Sequence, residues 1–190
     1  MGGLYDKFPN LWNDKIRIRK MIESDVDALL EISNSDAVYK YISPFLFHKS
    51  EKFLKTAINN FGARDFDKKK MIIAGIYLQE TSKLVGLVEI FNYKKRSKSV
   101  TIGYRINENY WHQGIASSAI QLMVKYLFET EIETIYAYVM SANKYSAKAL
   151  LRNGFRRESY NVQEKNWGGQ EIVDLEVYLL KKENRIRIKE

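Results

Sequence analysis

The segment Gly114 to Thr130 sets Ile115, Ala119, Ile120, Met123, Val124, Leu127 and Phe128 at helical spacing, with Ser118, Gln121 and Lys125 as a polar stripe. β-rich runs flank it, Ser99 to Ile106 before and Thr134 to Met140 after. A strand, a long helix and a strand make a crossover unit, which requires its two strands to run parallel. Upstream, Met71 to Leu78 and Leu84 to Phe91 read as a hairpin around Thr81-Ser82-Lys83. The polar stretch Asn92 to Lys98 then returns the chain into Ser99 as a third antiparallel strand, completing a meander.

Earlier in the chain, Ile16-Arg17-Ile18-Arg19 alternates as a strand does. Three helical pieces follow. Glu23-Ser24-Asp25 caps one bearing Val26, Leu29, Leu30 and Ile32; Val38, Tyr41 and Ile42 suggest a second, broken by Pro44; Ser50-Glu51-Lys52 opens a third with Phe53, Ala57, Ile58 and Phe61 on one face. After Met140 a helix from Ser146 to Asn153 stops at Gly154, and strands Phe155 to Val162 and Glu171 to Leu180 close the chain around Trp167-Gly168-Gly169. This order predicts an α/β (α+β) fold: one domain over 1–190, a mixed, mostly antiparallel sheet of about seven strands, and about four to five flanking helices.

Composition narrows the chemistry. With 45% hydrophobic residues over 190 positions, the chain can bury a full core, and the absence of cysteine excludes disulfides, thiolate metal sites and a cysteine nucleophile. A reducing cytoplasm is the expected location, no metal is expected, and no run approaches the roughly 18 apolar residues of a membrane span. The net charge of +8 suits anionic partners such as nucleotides, nucleic acid or ribosomes. Its basic runs, Lys94-Lys95-Arg96 with Lys98 and the tail 182–190, read first as a solvated turn and terminus. A monomer or homodimer is expected.

The strand ending at Ile106 leads through Asn107 to Asn109 into Tyr110-Trp111-His112-Gln113-Gly114-Ile115-Ala116 and a helix start. A helix's first N–H groups lack intrahelical partners and sit at its positive dipole end, so this place can hold a pyrophosphate. Gly114 and Ala116 are small enough to let phosphates approach the backbone, and Ser117 and Ser118 add hydroxyls. Alone, the stretch also fits an ordinary loop before a helix. A second stretch adds specificity: Asn143-Lys144-Tyr145-Ser146, continuing through Leu150-Leu151-Arg152-Asn153-Gly154-Phe155.

In this order and separation the two stretches resemble the GNAT acetyltransferase superfamily. Its cofactor motif is Gln/Arg-x-x-Gly-x-Gly/Ala, and its next helix carries Asn-x-x-Ser/Ala and ends in Gly-Phe. Arg17-Ile18-Arg19 with Glu23-Ser24-Asp25, and Ile102-Gly103-Tyr104, are similar to the RimJ/RimL-like branch that acetylates N-termini of ribosomal proteins. The resemblance covers roughly residues 15–181. It implies a V-shaped gap between the central strands holding acetyl-CoA, with backbone groups around Tyr104, Arg105 and Ile106 on the pantetheine arm and the loop Trp111, His112, Gln113, Gly114, Ile115, Ala116 and Ser117 on the pyrophosphate. One backbone N–H there would polarise the thioester carbonyl.

Asn143 is carried over as a contact near the sulfur, although a helix cap is an alternative for it. The acceptor is a protein N-terminal amine or a small-molecule amine, with ribosome association implied by the branch. Amine attack needs a base and a proton donor. Ser146 is the donor candidate, because the superfamily's other choice, a Tyr seven residues after the Asn, is Leu150 here. The branch's usual Glu before Ile-Gly-Tyr is Thr101, so Glu89, expected opposite Gly103 among apolar neighbours, is the base candidate; an exposed strand Glu opposing the basic turn is the other reading. Trp111 replaces the motif's first Gln/Arg, and His112 stands where Gly is frequent, free to contact phosphate or simply face solvent. Asp174 matches a branch position that orients local structure, while Trp12 and Trp167 read as packing residues. The acceptor pocket is expected from Ser35 to His48 and Asn161 to Gln170. Because of Thr101, a non-catalytic acyl-CoA sensor or partner-binding protein is the alternative; RNA binding through the basic surface has no recognition motif beside it.

Overall fold

The computed structural model describes residues 2–42, 45–165 and 172–186. Among them, eight strands form one sheet: β1 (Leu11–Trp12), β2 (Ile16–Arg19), β3 (Ile72–Leu78), β4 (Leu84–Lys94), β5 (Ser99–Ile106), β6 (Thr134–Met140), β7 (Arg156–Lys165) and β8 (Ile172–Lys181). Their spatial order is β1-β2-β3-β4-β5-β6-β8-β7, and β5 with β6 is the parallel pair that the crossover requires. Seven helices accompany the sheet: α1 (Val26–Ser33), α2 (Asp36–Tyr39), α3 (Glu51–Gly62), α4 (Arg64–Asp67), α5 (Ile115–Glu129), α6 (Lys144–Arg152) and α7 (Lys182–Ile186).

The expected fold is present, with additions too short to show a period. β1 is a two-residue edge strand, α4 is a four-residue turn after α3, and α7 begins what reads in the sequence as a plain tail. The second helix stops at Tyr39, leaving Tyr41 and Ile42 beyond it. Trp12 does not pack as expected: it lies on the edge strand, 64% exposed. Pro44, Trp167-Gly168-Gly169 and the tail beyond residue 186 lie outside the described residues.

Two apolar clusters sandwich the sheet. The α5 face of the sheet packs Val88, Ile90, Ile102, Ile135 and Ala137 against Ile115, Ala119, Ile120, Met123 and Leu127. The opposite face packs Ile73, Tyr77 and Leu87 against α1 and α3 through Leu29, Ile32, Leu54 and Ile58. Ser35 and Ser50 fix the entries of α2 and α3 by accepting from the N–H groups of Val38 and Phe53. No helix among the described residues is long and apolar enough to cross a membrane.

The site is created by a failure of pairing in the middle of the sheet. β5 and β6 are in register only over Ser99↔Thr134, Val100↔Ile135 and Thr101↔Tyr136. Beyond Thr101, β5 keeps to its antiparallel partner through Gly86↔Ile106, while β6 stays with β8 to Met140↔Leu175. Each strand follows its longer ladder, and the short parallel one opens into a V.

Candidate active site

At the open end of the V, a 3-10 turn (Glu108–Tyr110) carries the chain from β5 to Gly114, the N-cap of α5. Gly114 has φ +77°, in the left-handed region that a side chain disfavours. No side chain caps α5 and no acidic residue occupies its first turn; the N–H of Ser118 bonds to the carbonyl of Gly114. The N–H groups of Ile115, Ala116 and Ser117 precede that bond, so this end of the helix remains a donor cluster. Asn153 donates to Ser117 Oγ at 2.9 Å, which leaves the serine's own hydrogen for another acceptor. Lys15, which the sequence did not single out, brings Nζ to 2.7 Å from the Gln113 carbonyl and so sets a cation beside the loop.

A cleft of about 470 Å³ runs from this loop through the V to α2, lined by Trp111, His112, Gly114, Ile115, Ala116 and Ser117 at one end. Gln113 is absent from that wall, its side chain turned back to donate to the Asn109 carbonyl at 3.3 Å. Trp111 donates its indole N–H to the Ile106 carbonyl at 2.8 Å. The Ile106 carbonyl, expected to be an unpaired backbone group, is therefore satisfied inside the chain. His112, at φ +62°, sets its ring edge-on to Tyr145, 5.0 Å between centroids. Asp174 accepts from Gln163 and so ties β8 to β7.

Alternation along β5 puts two different chemistries on the two sides of the V. Tyr104 faces α6, and its hydroxyl lies 2.7 Å from Ser146 Oγ. Burial pushes the Tyr104 phenol from 10.0 up to about 12, with the Ser146 hydrogen bond pulling the other way, so the tyrosine keeps its proton at neutral pH. Asn143 caps α6 by accepting from the Ser146 N–H at 3.2 Å, which fixes the serine beside Tyr104.

On the other side, Glu89 stands opposite Gly103, in the register expected from the sequence. It is neither an unpaired charge among apolar neighbours nor an exposed strand residue. The Arg105 guanidinium pairs with its Oε1, and the two side chains are only 17% and 3% exposed. The expectation of an unpaired carboxylate fails because Arg105 is its diagonal cross-strand neighbour on the same face. Arg105 is held in turn by the Tyr39 hydroxyl at 3.1 Å and the Phe45 ring at 4.8 Å. Glu89 Oε2 lies next to Gly103, 3.6 Å from where a Cβ would sit, and Gly103 lines the cleft while Glu89 itself does not.

Residues 15–156 match the family model described as the acetyltransferase (GNAT) domain. The chain belongs to the GNAT acetyltransferases. This acetyltransferase is 28% identical to the uncharacterized N-acetyltransferase YoaA of Bacillus subtilis over 152 residues, 80% of this chain and 85% of that one. A GNAT-family acetyltransferase from Bacillus anthracis superposes with a TM-score of 0.78 at 26% identity, covering 92% of this chain and 99% of that one. The spermidine N-acetyltransferase of Vibrio cholerae, in complex with CoA and spermine, shares the fold at a TM-score of 0.75 and 17% identity, covering 92% and 99%.

The cleft of this acetyltransferase fits an elongated anionic thioester. It offers N-terminal helix amides for a pyrophosphate, a left-handed glycine that keeps them uncovered, and an unzipped strand edge leading to the hydroxyl pair. Signals for the parts the sequence reading missed lie in strand alternation: Arg105 shares Glu89's face, and Tyr104 shares Ile102's.

Proposed function

We propose that this acetyltransferase moves an acetyl group from acetyl-CoA to a primary amine, of a protein N-terminus or a small molecule, by direct attack in a ternary complex. The observation that carries the reading is one cleft lined both by the α5 N-terminus and by the Tyr104–Ser146 pair. Acetyl-CoA supplies, when bound, an activated acetyl group and a thiol leaving group. The amides of Ile115, Ala116 and Ser117 hold its pyrophosphate, and the edge of β5 beyond its pairing with β6, around Tyr104 and Arg105, holds the pantetheine arm. Backbone N–H at that edge polarises the thioester carbonyl. Asn143, its oxygen used in the cap, keeps its amide hydrogens for the same arm. Resemblance of Ile102-Gly103-Tyr104 and the Arg17 to Asp25 stretch to the ribosomal-protein branch supports an N-terminal amine as one acceptor.

The attacking amine must be neutral, and Glu89 Oε2 takes its proton through a water passing Gly103. Ser146 donates to the departing thiolate, and Tyr104, still protonated, holds the serine hydroxyl in line. Ser146→Ala is expected to lower kcat about 10- to 100-fold, and Tyr104→Phe about tenfold, with acetyl-CoA affinity unchanged in both. Steady-state rates beside cofactor titrations check this; a matching loss of affinity would assign the pair to binding instead.

The reading as a whole is tested by thermal melting with acetyl-CoA. At about 100 times Kd, binding contributes about 2.7 kcal/mol, a rise of about 5–10 °C for a chain of this size. No rise at millimolar acetyl-CoA, or a rise without thiol release across a panel of amines, removes the transferase reading.

A further inference from the structure

The two ends of the cleft differ in charge. Around α5 and α6 it carries His112, Lys148 and Arg152 beside the helix N-terminus. Its lining also takes in Val38, Tyr41 and Ile42 from α2 and just beyond it, Tyr138 of β6, and Gly103 and Arg105 of β5. The Arg105 charge is neutralised by Glu89 behind it. No Asp or Glu lines the cleft among the described residues. The Ser35 hydroxyl donates to Glu108 at 3.0 Å, tying the start of α2 to the turn after β5 and holding this wall over the V.

An acceptor entering here gives up water for apolar and aromatic surface. A body with further ammonium groups would lose hydration with no carboxylate on this wall to replace it. An apolar body gains from the same transfer. The reacting amine gains too, because apolar surroundings disfavour its protonated form and so favour the nucleophile. We propose that the acceptor is a monoamine on an apolar or aromatic body: an arylalkylamine, or a peptide N-terminus whose first side chains are apolar. Polyamines are excluded as good substrates. This assignment rests on the transferase reading above.

The test is thiol release from acetyl-CoA with four acceptors: 2-phenylethylamine, hexylamine, a Leu-Phe peptide amide and spermidine. Hexylamine is the monoamine whose basicity is closest to spermidine's. The expected kcat/KM for the best monoamine exceeds that for spermidine by about 30-fold or more. Comparing peptide with phenylethylamine shows which source of apolar amine is used. Ile42→Glu, or Tyr138→Glu at a position already 42% exposed, places a carboxylate on the wall and should narrow the gap about tenfold. Spermidine matching or beating the monoamines in the unmodified protein overturns the assignment, as does an unchanged ratio in both folded variants. Absence of thiol release with every amine, while acetyl-CoA still raises the melting temperature, instead removes the transferase reading and this assignment with it.

Discussion

Glu89→Gln is expected to lower amine-dependent turnover about a hundredfold or more, the usual loss when a general base is removed, while acetyl-CoA affinity stays as it was. The obvious confusion is with folding, because Glu89 also neutralises a guanidinium that is 3% exposed. Removing one partner of such a pair costs about 3–5 kcal/mol. Glutamine limits this by keeping an oxygen for Arg105, whereas Glu89→Ala should show the full loss in a denaturant melt. The pH dependence separates the roles. With a peptide acceptor, whose α-amino group titrates near pH 8, the nucleophile arrives neutral above about pH 9.5 and needs no base to deprotonate it before attack. Glu89→Gln should then recover most of its activity relative to the unmodified enzyme. A deficit that persists at pH 9.5 assigns Glu89 to holding Arg105, and one smaller than about threefold at pH 7 removes it from catalysis altogether.

What the sequence made legible follows from length of signal. The 15 residues of α5, the β3-β4-β5 meander and the parallel crossover all rest on runs long enough for hydrophobic period to decide them. β1, α4 and α7 have two, four and five residues, too few to show a period. The same contrast holds in the site. Gly114 was legible as a small residue at a helix start after a strand; its φ of +77° adds a conformational reason that the sequence did not show. The register Glu89↔Gly103 followed from placing one turn. Partners were harder to read, because they depend on side chains meeting across elements distant in sequence. The Lys15 contact with Gln113 spans 98 positions, and the Tyr104 contact with Ser146 spans 42. Glu89 with Arg105 was within reach, since alternation alone makes them diagonal neighbours. The immediate sequence neighbours of Glu89, Val88 and Ile90, point to the opposite face and so are no guide to its surroundings, which are set by the diagonal partner across the ladder.

Gly114→Val should abolish the rise in melting temperature that acetyl-CoA produces. At φ +77° a β-branched side chain is strained. The loop can relieve that strain by rotating away from the left-handed region, which turns the first amides of α5 out of the cleft. Where the backbone instead holds, the added side chain stands beside Lys15 Nζ, already 3.5 Å from the Cβ position, and covers the approach to those amides. Either outcome loses hydrogen bonds to a charged ligand, each worth about 1.5–3 kcal/mol. Two such losses weaken affinity by about a hundredfold or more. Fold stability should fall much less, since Gly114 itself lies outside both apolar clusters. Gly114→Ala, with the same φ demand but less bulk, should fall between the two. Isothermal titration of all three proteins gives the ordering, and equal affinities would show that pyrophosphate binding does not depend on this cradle, leaving α6 with Lys148 and Arg152 as the anion-binding element.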